Sequence, residues 1–329
     1  MLGMEPRIAP RGEARSAHTT PTPIGANSEQ GEPRVSVIIP AMNEEMNIRQ
    51  VLEMVPSWVH EVVLVDGYST DGTAQAAREV WPNHHVVVKE RRQIEDRRGA
   101  ARPGTRDRRS EGRALRLVGQ TRRGKGNALK TGIAAATGDI VVLIDADGST
   151  DPREIGRFVQ TLRNGADFAK GSRFLKGAGT DDMSFDRKVG NGALVLLANV
   201  LFGTRYTDIT YGYNALWKRH AGALALEIDG WANEIISNIR IARHGLNVVE
   251  VPSFERPRLA GEAKLQGVYL VGWRILRAIL AERLRPRPAL GTLPTRDEIP
   301  GVMSITVDDD TVTLRPEGAE ADERAAVPA

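Results

Sequence analysis

The sequence predicts an α/β fold with a mostly parallel sheet and helices on both faces. Three observations predict it. Short runs rich in β-branched residues recur at residues 35–40, 62–65, 86–88 and 140–144. Stretches of helical periodicity separate them. The runs are also continuously apolar rather than alternating, the pattern of strands buried on both faces of a parallel sheet.

Taken in order, residues 35–40 form the first strand and 44–54 a helix, then 62–65 a second strand and 71–81 a second helix. Residues 86–88 are a third strand. A helix over 127–136 leads into the strand at 140–144, and Asp151-Pro152 starts the next helix. Further on, residues 194–202 are apolar almost throughout. Residues 267–284 are apolar but interrupted by Arg274, Arg277 and Glu282. Neither reaches the roughly 18–20 uninterrupted apolar residues that span a bilayer. Each suits either a core helix or one lying in a membrane interface.

The chain has 329 residues, enough for a full core, and its 45 basic and 42 acidic groups nearly balance. It has no cysteine, which excludes a disulfide framework, a thiolate metal site and a cysteine nucleophile. Charge is unevenly placed. Residues 1–33 are polar, with no apolar core of a signal peptide, and read as a disordered arm. Residues 91–123 carry 12 arginines against 4 acids, and 91–121 read as an unstructured, solvated insertion, with attraction to an anionic membrane surface as the alternative functional reading. Residues 287–329 carry 9 acids against 4 basic groups and read as a largely disordered tail with a weak hairpin around Asp308-Asp309-Asp310. The domain that remains is 34–286.

Asp145-Ala146-Asp147 directly follows the strand at 140–144. Two carboxylates leaving a buried strand are costly unless a cation meets them. A divalent ion shared with a diphosphate is the natural partner, because hard cations take carboxylate and phosphate oxygens together. Pro40-Ala41-Met42-Asn43-Glu44 closes the first strand and Asp66-Gly67-Tyr68-Ser69 the second, while Arg123-Gly124-Lys125-Gly126 opens a helix. In a parallel sheet these termini share the edge where ligands bind. The glycine-rich turn lacks the P-loop spacing. The six histidines are scattered and no serine triad is visible.

These motifs, in this order, resemble the inverting family 2 glycosyltransferases of GT-A fold, and among them the polyprenol- and dolichol-phosphate mannosyl- and glucosyltransferases. The resemblance runs from about residue 35 to 284 and continues through Gly171-Ser172-Arg173-Phe174, Arg187 to Asn191, Thr207 to Tyr213, Gly230 to Glu234 and Arg256 to Leu265. It implies that Pro40, Asn43, Glu44 and Asp66 bound the nucleotide pocket together with Lys125, and that Asp145 and Asp147 hold Mg²⁺ or Mn²⁺. It also implies that Arg173, Arg187 and Lys264 gather phosphate charge with Asn191 beside them, and that Glu234 lies by the sugar near a Tyr211–Tyr213 wall. Some positions depart from the family pattern: Tyr68 in the Asp66 motif, Ser149 after the second aspartate, Ala232 before Glu234, and Ala263 before Lys264.

The implied reaction is metal-dependent, inverting transfer of a hexose from a donor of the GDP-mannose or UDP-glucose type to a polyprenyl phosphate. An anionic acceptor needs cations rather than a general base. A hydroxyl acceptor on a soluble small molecule or glycan is the alternative, and would require a carboxylate base from Asp181, Asp182 or Glu234. The expected location is cytoplasmic, with peripheral contact at the inner face of the membrane. The arginine-rich segment lacks interleaved aromatics, so no nucleic-acid partner is expected.

Overall fold

The computed structural model describes residues 32–80, 114–120, 122–228, 230, 232–261 and 268–286, together with two strands at 304–308 and 311–315. The chain divides into two units, 1–32 and 33–329, and every element named below belongs to the second.

The core is a seven-stranded sheet in the order β3-β2-β1-β4-β7-β5-β8. Its strands are β1 (Val35–Ala41), β2 (Glu61–Asp66), β3 (Ala114–Gly119), β4 (Ile140–Leu143), β5 (Phe168–Ser172), β7 (Asn214–Trp217) and β8 (Val248–Pro252). Only β7 runs antiparallel to its neighbours β4 and β5. Helices α1 (Glu45–Met54), α2 (Thr73–Val80), α3 (Lys125–Ala135) and α4 (Ile155–Arg163) cover the sheet. Val37 and Ile39 pack on one face with Ile48, Leu52 and Phe158, whereas Ile38 and Val63 pack on the other with Leu129 and Ile133. That two-sided burial is why the strands read as unbroken apolar runs. On one face α3 lies so close that a Cβ on Gly132 would stand 2.5 Å from Ile38 Cγ2.

Register fixes the functional edge. Ala41 lies opposite Asp66, so β1 and β2 finish level, whereas Leu143 at the end of β4 lies opposite Ile38, so the residues that follow it run on beside the end of β1.

The expected strand at 86–88 lies outside the described residues. The structure instead places β3 at Ala114–Gly119, within the segment 91–121 that composition marked as an unstructured insertion. Leu115 is fully buried, and β3 pairs in parallel with β2. Arginine density hid this strand, because Arg116 is neutralised by the buried Glu61 of β2. Glu61 also accepts from Ser36 Oγ at 2.6 Å and from Thr137 Oγ1 at 3.0 Å. Burial pushes its pKa up, but hydrogen bonds from Ser36, Thr137 and Arg116 outweigh it and hold the carboxyl below its usual range. That contribution to stability is present above the unfolded-state carboxylate pKa and is lost as pH falls through the lower folded value. Glu61→Ala, which leaves Arg116 without its partner, is expected to cost about 3–5 kcal/mol in denaturant unfolding at neutral pH. The deficit should shrink in acid.

Two smaller pairings complete the sheet structure. One is β6 (Gly179–Thr180) with β9 (Phe254–Glu255), and the other is the antiparallel hairpin β10 (Ser304–Asp308) with β11 (Thr311–Arg315), at the position where the tail was expected to fold back. Helices α5 (Phe185–Phe202), α6 (Ala232–Arg243) and α7 (Val268–Leu284) form a separate cluster around Ala198, Ile235, Ile239, Ile275 and Ile279. Among the described residues no helix is long and apolar enough to cross a membrane.

Candidate active site

The site grows from strand ends. Asp145 and Asp147 emerge past β4, Lys125 from the first turn of α3, and Glu234 from the first turn of α6. Lys125 Nζ donates to Asp145 Oδ1 at 2.8 Å and to Glu234 Oε1. Burial opposes the charge of this lysine, yet the two carboxylates hold it protonated, well above the usual lysine range. Pro40 and Asn214 line the same pocket.

The floor is a backbone. A Cβ on Gly212 would come within 2.9 Å of Glu234 Oε1 and 3.0 Å of Asp145 Oδ2. The expected tyrosine wall is therefore not a wall. Tyr213 is fully buried and stacks on Phe158 at 4.1 Å between ring centroids, and Tyr211 is also buried. It is Gly212 that faces the site. Gly212→Ala should displace the carboxylates and lower kcat by about 10²-fold with unfolding temperature little changed.

Asp147 sits under a strap. Arg258 Nη2 lies 2.9 Å from Asp147 Oδ2, while Arg258 Nη1 donates to both Glu44 oxygens at 3.1 Å. Leu259 N donates to Asp147 O, and Ser149 N to Asp147 Oδ1, each at 3.0 Å. Burial raises the pKa of the Asp147 carboxyl, and the neighbouring charge of Asp145 adds to that rise.

The β1 and β2 ends are latched to one another. Asn43, at φ 55°, accepts from Thr70 N at 2.8 Å, and its own N–H donates to Ser69 Oγ at 3.0 Å. Asp66 is buried, and its Oδ1 has no hydrogen-bond partner; the same holds for Oε1 of Gln120 at the end of β3.

The expected anion-binding set divides. Arg173 is not available to a phosphate, because all five of its N–H donors are used. Its Nε and Nη2 donate to Asp208, Nη2 also to Thr210 Oγ1 at 2.7 Å, and Nη1 to both oxygens of Glu255. Buried beside two carboxylates, it is a structural cation. Asn191 belongs to the same cluster, accepting from Thr210 Oγ1 at 2.9 Å, and is buried. Arg187 lies apart, tied to Asp182 at 3.3 Å and partly exposed. Lys264 lies outside the described residues.

The family model for glycosyl transferase family 2 matches residues 36–102 and 105–220. The chain belongs to glycosyl transferase family 2. The dolichol-phosphate mannosyltransferase of Pyrococcus furiosus is 29% identical to this glycosyltransferase over 240 residues, covering 71% of this chain and 60% of the relative. The undecaprenyl-phosphate mannosyltransferase of Micrococcus luteus is 30% identical over 244 residues, covering 71% and 88%. In structure, the glucosyl-3-phosphoglycerate synthase of Mycobacterium tuberculosis, solved with Mn²⁺, UDP-glucose and glycerol 3-phosphate, aligns at a TM-score of 0.55 and 21% identity. That alignment covers 78% of this chain and 82% of the other. The fold is the GT-A fold that the sequence predicted.

The glycosyltransferase site fits a divalent cation. Among the described residues no cage of three or more His, Cys, Asp or Glu side chains exists, so the protein could supply only part of a coordination shell. The oxygen pair Asp145 and Asp147 suits a hard ion completed by phosphate and water. Burial, and after it the charge of Asp145, raises the pKa of Asp147, a penalty on the ionised carboxylate that such an ion would relieve.

Sequence reasoning assigned no role to Arg258 or Gln120. Arg258 lay within a quoted motif, but nothing in sequence shows that it crosses to Glu44, 214 residues away. Gln120 was masked by the arginine-rich context of β3.

Proposed function

We propose that this glycosyltransferase moves a hexose, with inversion, from a nucleotide sugar to the phosphate of a polyprenyl phosphate. One observation carries the choice of acceptor. The site carboxylates Glu44, Asp145 and Asp147 are paired with Lys125 or Arg258. Of the three candidate bases Glu234 is likewise paired with Lys125, Asp182 with Arg187, and Asp181 is exposed outside the pocket lining. A hydroxyl acceptor would need one of them free to take a proton. An acceptor phosphate is already anionic and attacks the anomeric carbon directly, breaking the bond to the diphosphate oxygen. The names of the Pyrococcus and Micrococcus relatives agree with this reading.

Asp145 and Asp147 would hold Mg²⁺ or Mn²⁺, which supplies positive charge to the leaving diphosphate. Lys125 orients Asp145 and Glu234 and offsets one of their two negative charges before the donor arrives. Glu234, held rigidly by Lys125, is placed for the sugar hydroxyls, and Pro40, Asn43, Glu44 and Asp66 bound the nucleoside. Arg187 and Lys264 are the cations that would hold the acceptor phosphate.

The base follows from the two orphaned acceptors. Asp66 Oδ1 and Gln120 Oε1 both lack a donor, and guanine offers two adjacent N–H groups on one edge where uracil offers one. An unpaired buried acceptor costs about 1–3 kcal/mol. In thermal-shift titrations with Mn²⁺, GDP should therefore bind at least about 10-fold more tightly than UDP. Equal affinity would count against this assignment, and no stabilisation by either nucleotide would count against the donor site itself.

A further inference from the structure

We propose that Lys170 is a positioning residue for the sugar corner of the site, holding the Gly212 backbone in place with its buried ammonium. The proposal rests on the donor half of the reading above, a nucleotide sugar bound beside Asp145 and Glu234. It does not depend on which acceptor is used.

A lysine is out of place where Lys170 lies. It is the third residue of β5, whose residues are all buried, and its own side chain is fully buried. Burying an ammonium is costly unless its donors are met. Among the described residues its Nζ donates to two backbone carbonyls, Gly171 O at 2.7 Å and Tyr211 O at 2.8 Å, and to no carboxylate. A purely structural counter-ion lies against its acids, as Arg173 does against Asp208 and Glu255. Lys170 supports Asp208 through space, but it spends its donors on the chain that leads to Gly212.

Those bonds are part of a clamp. The Tyr211 carbonyl belongs to the peptide plane that enters Gly212, so Lys170 fixes the tilt of that plane. Gly171 N donates to Tyr213 O at 2.8 Å, and Asn214 Nδ2 donates to Gly212 O at 3.2 Å. Lys170 and Asn214 lie opposite each other where β5 pairs with β7. Three successive carbonyls are thus held from these two strands. The flanking side chains are anchored as well. Tyr211 OH meets Ser253 Oγ at 3.0 Å, and Tyr213 OH donates to Asp151 O at 3.1 Å. The clamp has little slack, since a Cβ on Gly171 would stand 2.6 Å from Tyr213 O.

Gly212 needs this hold for a physical reason. The crowded carboxylates leave no room for a Cβ there, and a residue without one is free to turn. The same absent Cβ would lie 3.4 Å from Lys125 Nζ, so the Gly212 backbone meets all three members of the Asp145–Lys125–Glu234 cluster. Its position therefore sets the space left for the sugar between Asp145 and Glu234. Small displacements in such a space are costly to binding geometry. Lys170 touches none of the three and acts one residue behind Gly212.

The test is calorimetric titration of the full chain with Mn²⁺ present, using GDP and GDP-mannose and, in parallel, UDP and UDP-glucose. Lys170→Met keeps the length of the side chain and removes the ammonium. For the pair that the wild type binds, it should weaken the nucleotide sugar about 10-fold and leave the nucleoside diphosphate within about 2-fold. Ala169→Gly weakens the same buried strand without touching either carbonyl, and it should lower the unfolding temperature while leaving both affinities unchanged. Equal weakening of sugar and diphosphate in Lys170→Met would make Lys170 a support of the fold alone. Unchanged binding of both would mean that the donor does not sense it. Either result overturns the proposal. If Lys170→Met does not fold, Lys170→Gln, which keeps a donor without the charge, carries the same test with the same overturning outcomes. A wild type that binds none of the four ligands overturns the donor reading and the proposal with it, whereas a wild type that binds them beside an unaffected variant sinks the role of Lys170 alone.

Discussion

Asp147→Ala is expected to abolish metal-dependent stabilisation by nucleotide and to lower kcat by at least about 10²-fold. The reason lies in how Asp147 is held. Ser149 N fixes one carboxylate oxygen at 3.0 Å and Arg258 meets the other at 2.9 Å, so the group is pre-aimed rather than mobile. Burial and the charge of Asp145 make its ionised form uncomfortable, and that discomfort favours a bound cation. Removing the carboxylate leaves Asp145 alone with Lys125, one oxygen donor short of the pair. Arg258 keeps its bonds to Glu44, so the fold should survive. Thermal-shift titration of nucleotide with and without Mn²⁺ reads the result, and an unchanged metal effect would remove Asp147 from the site.

Arg173→Met should unfold the protein more readily rather than merely weaken acceptor binding. Both carboxylates that surround Arg173 are buried, and the methionine leaves them without the guanidinium that bridges them. Hydrogen bonds from Arg173 hold the Asp208 carboxyl below its usual range against the upward push of burial, with Lys170 adding charge support. Breaking such a cluster costs about 3–5 kcal/mol, a fall in Tm of about 10 °C for a domain of this size. The loss should be largest near neutral pH and smaller in acid, where Asp208 is protonated in the unfolded chain. A variant of unchanged Tm with only a raised KM for acceptor would restore the phosphate-binding role.

These two residues show what sequence could and could not reveal. The Asp145–Asp147 pair was legible because a continuous apolar run must be a buried strand, and the residues just past such a strand reach the ligand-binding edge. The register pairs Ala41 with Asp66 and Ile38 with Leu143, which brings Pro40, Asp66 and Asp145 to one edge of the sheet. Arg173 was legible as important but not for its role. Its partners lie 35 and 82 residues away, and no local pattern announces that they close around it. β3 was obscured by a genuine conflict of signals. Arg116 counts as solvated charge in composition, yet it is a strand residue paired with a buried glutamate. Tyr211 and Tyr213 looked like binding aromatics because the family resemblance put a wall beside the sugar there, but both are buried, with one residue between them. That residue, Gly212, carries the contact.

In the proposed reaction the sugar passes to a lipid phosphate. Incubation of the protein with radiolabelled nucleotide hexose, Mn²⁺ and polyprenyl phosphate, followed by organic extraction and mild acid, tests it most directly. Label should enter the organic phase only with metal and acceptor present, and mild acid should release it as free sugar from the phosphodiester. Label confined to the aqueous phase, transferred instead to a soluble hydroxyl compound, would rule out a lipid phosphate as acceptor.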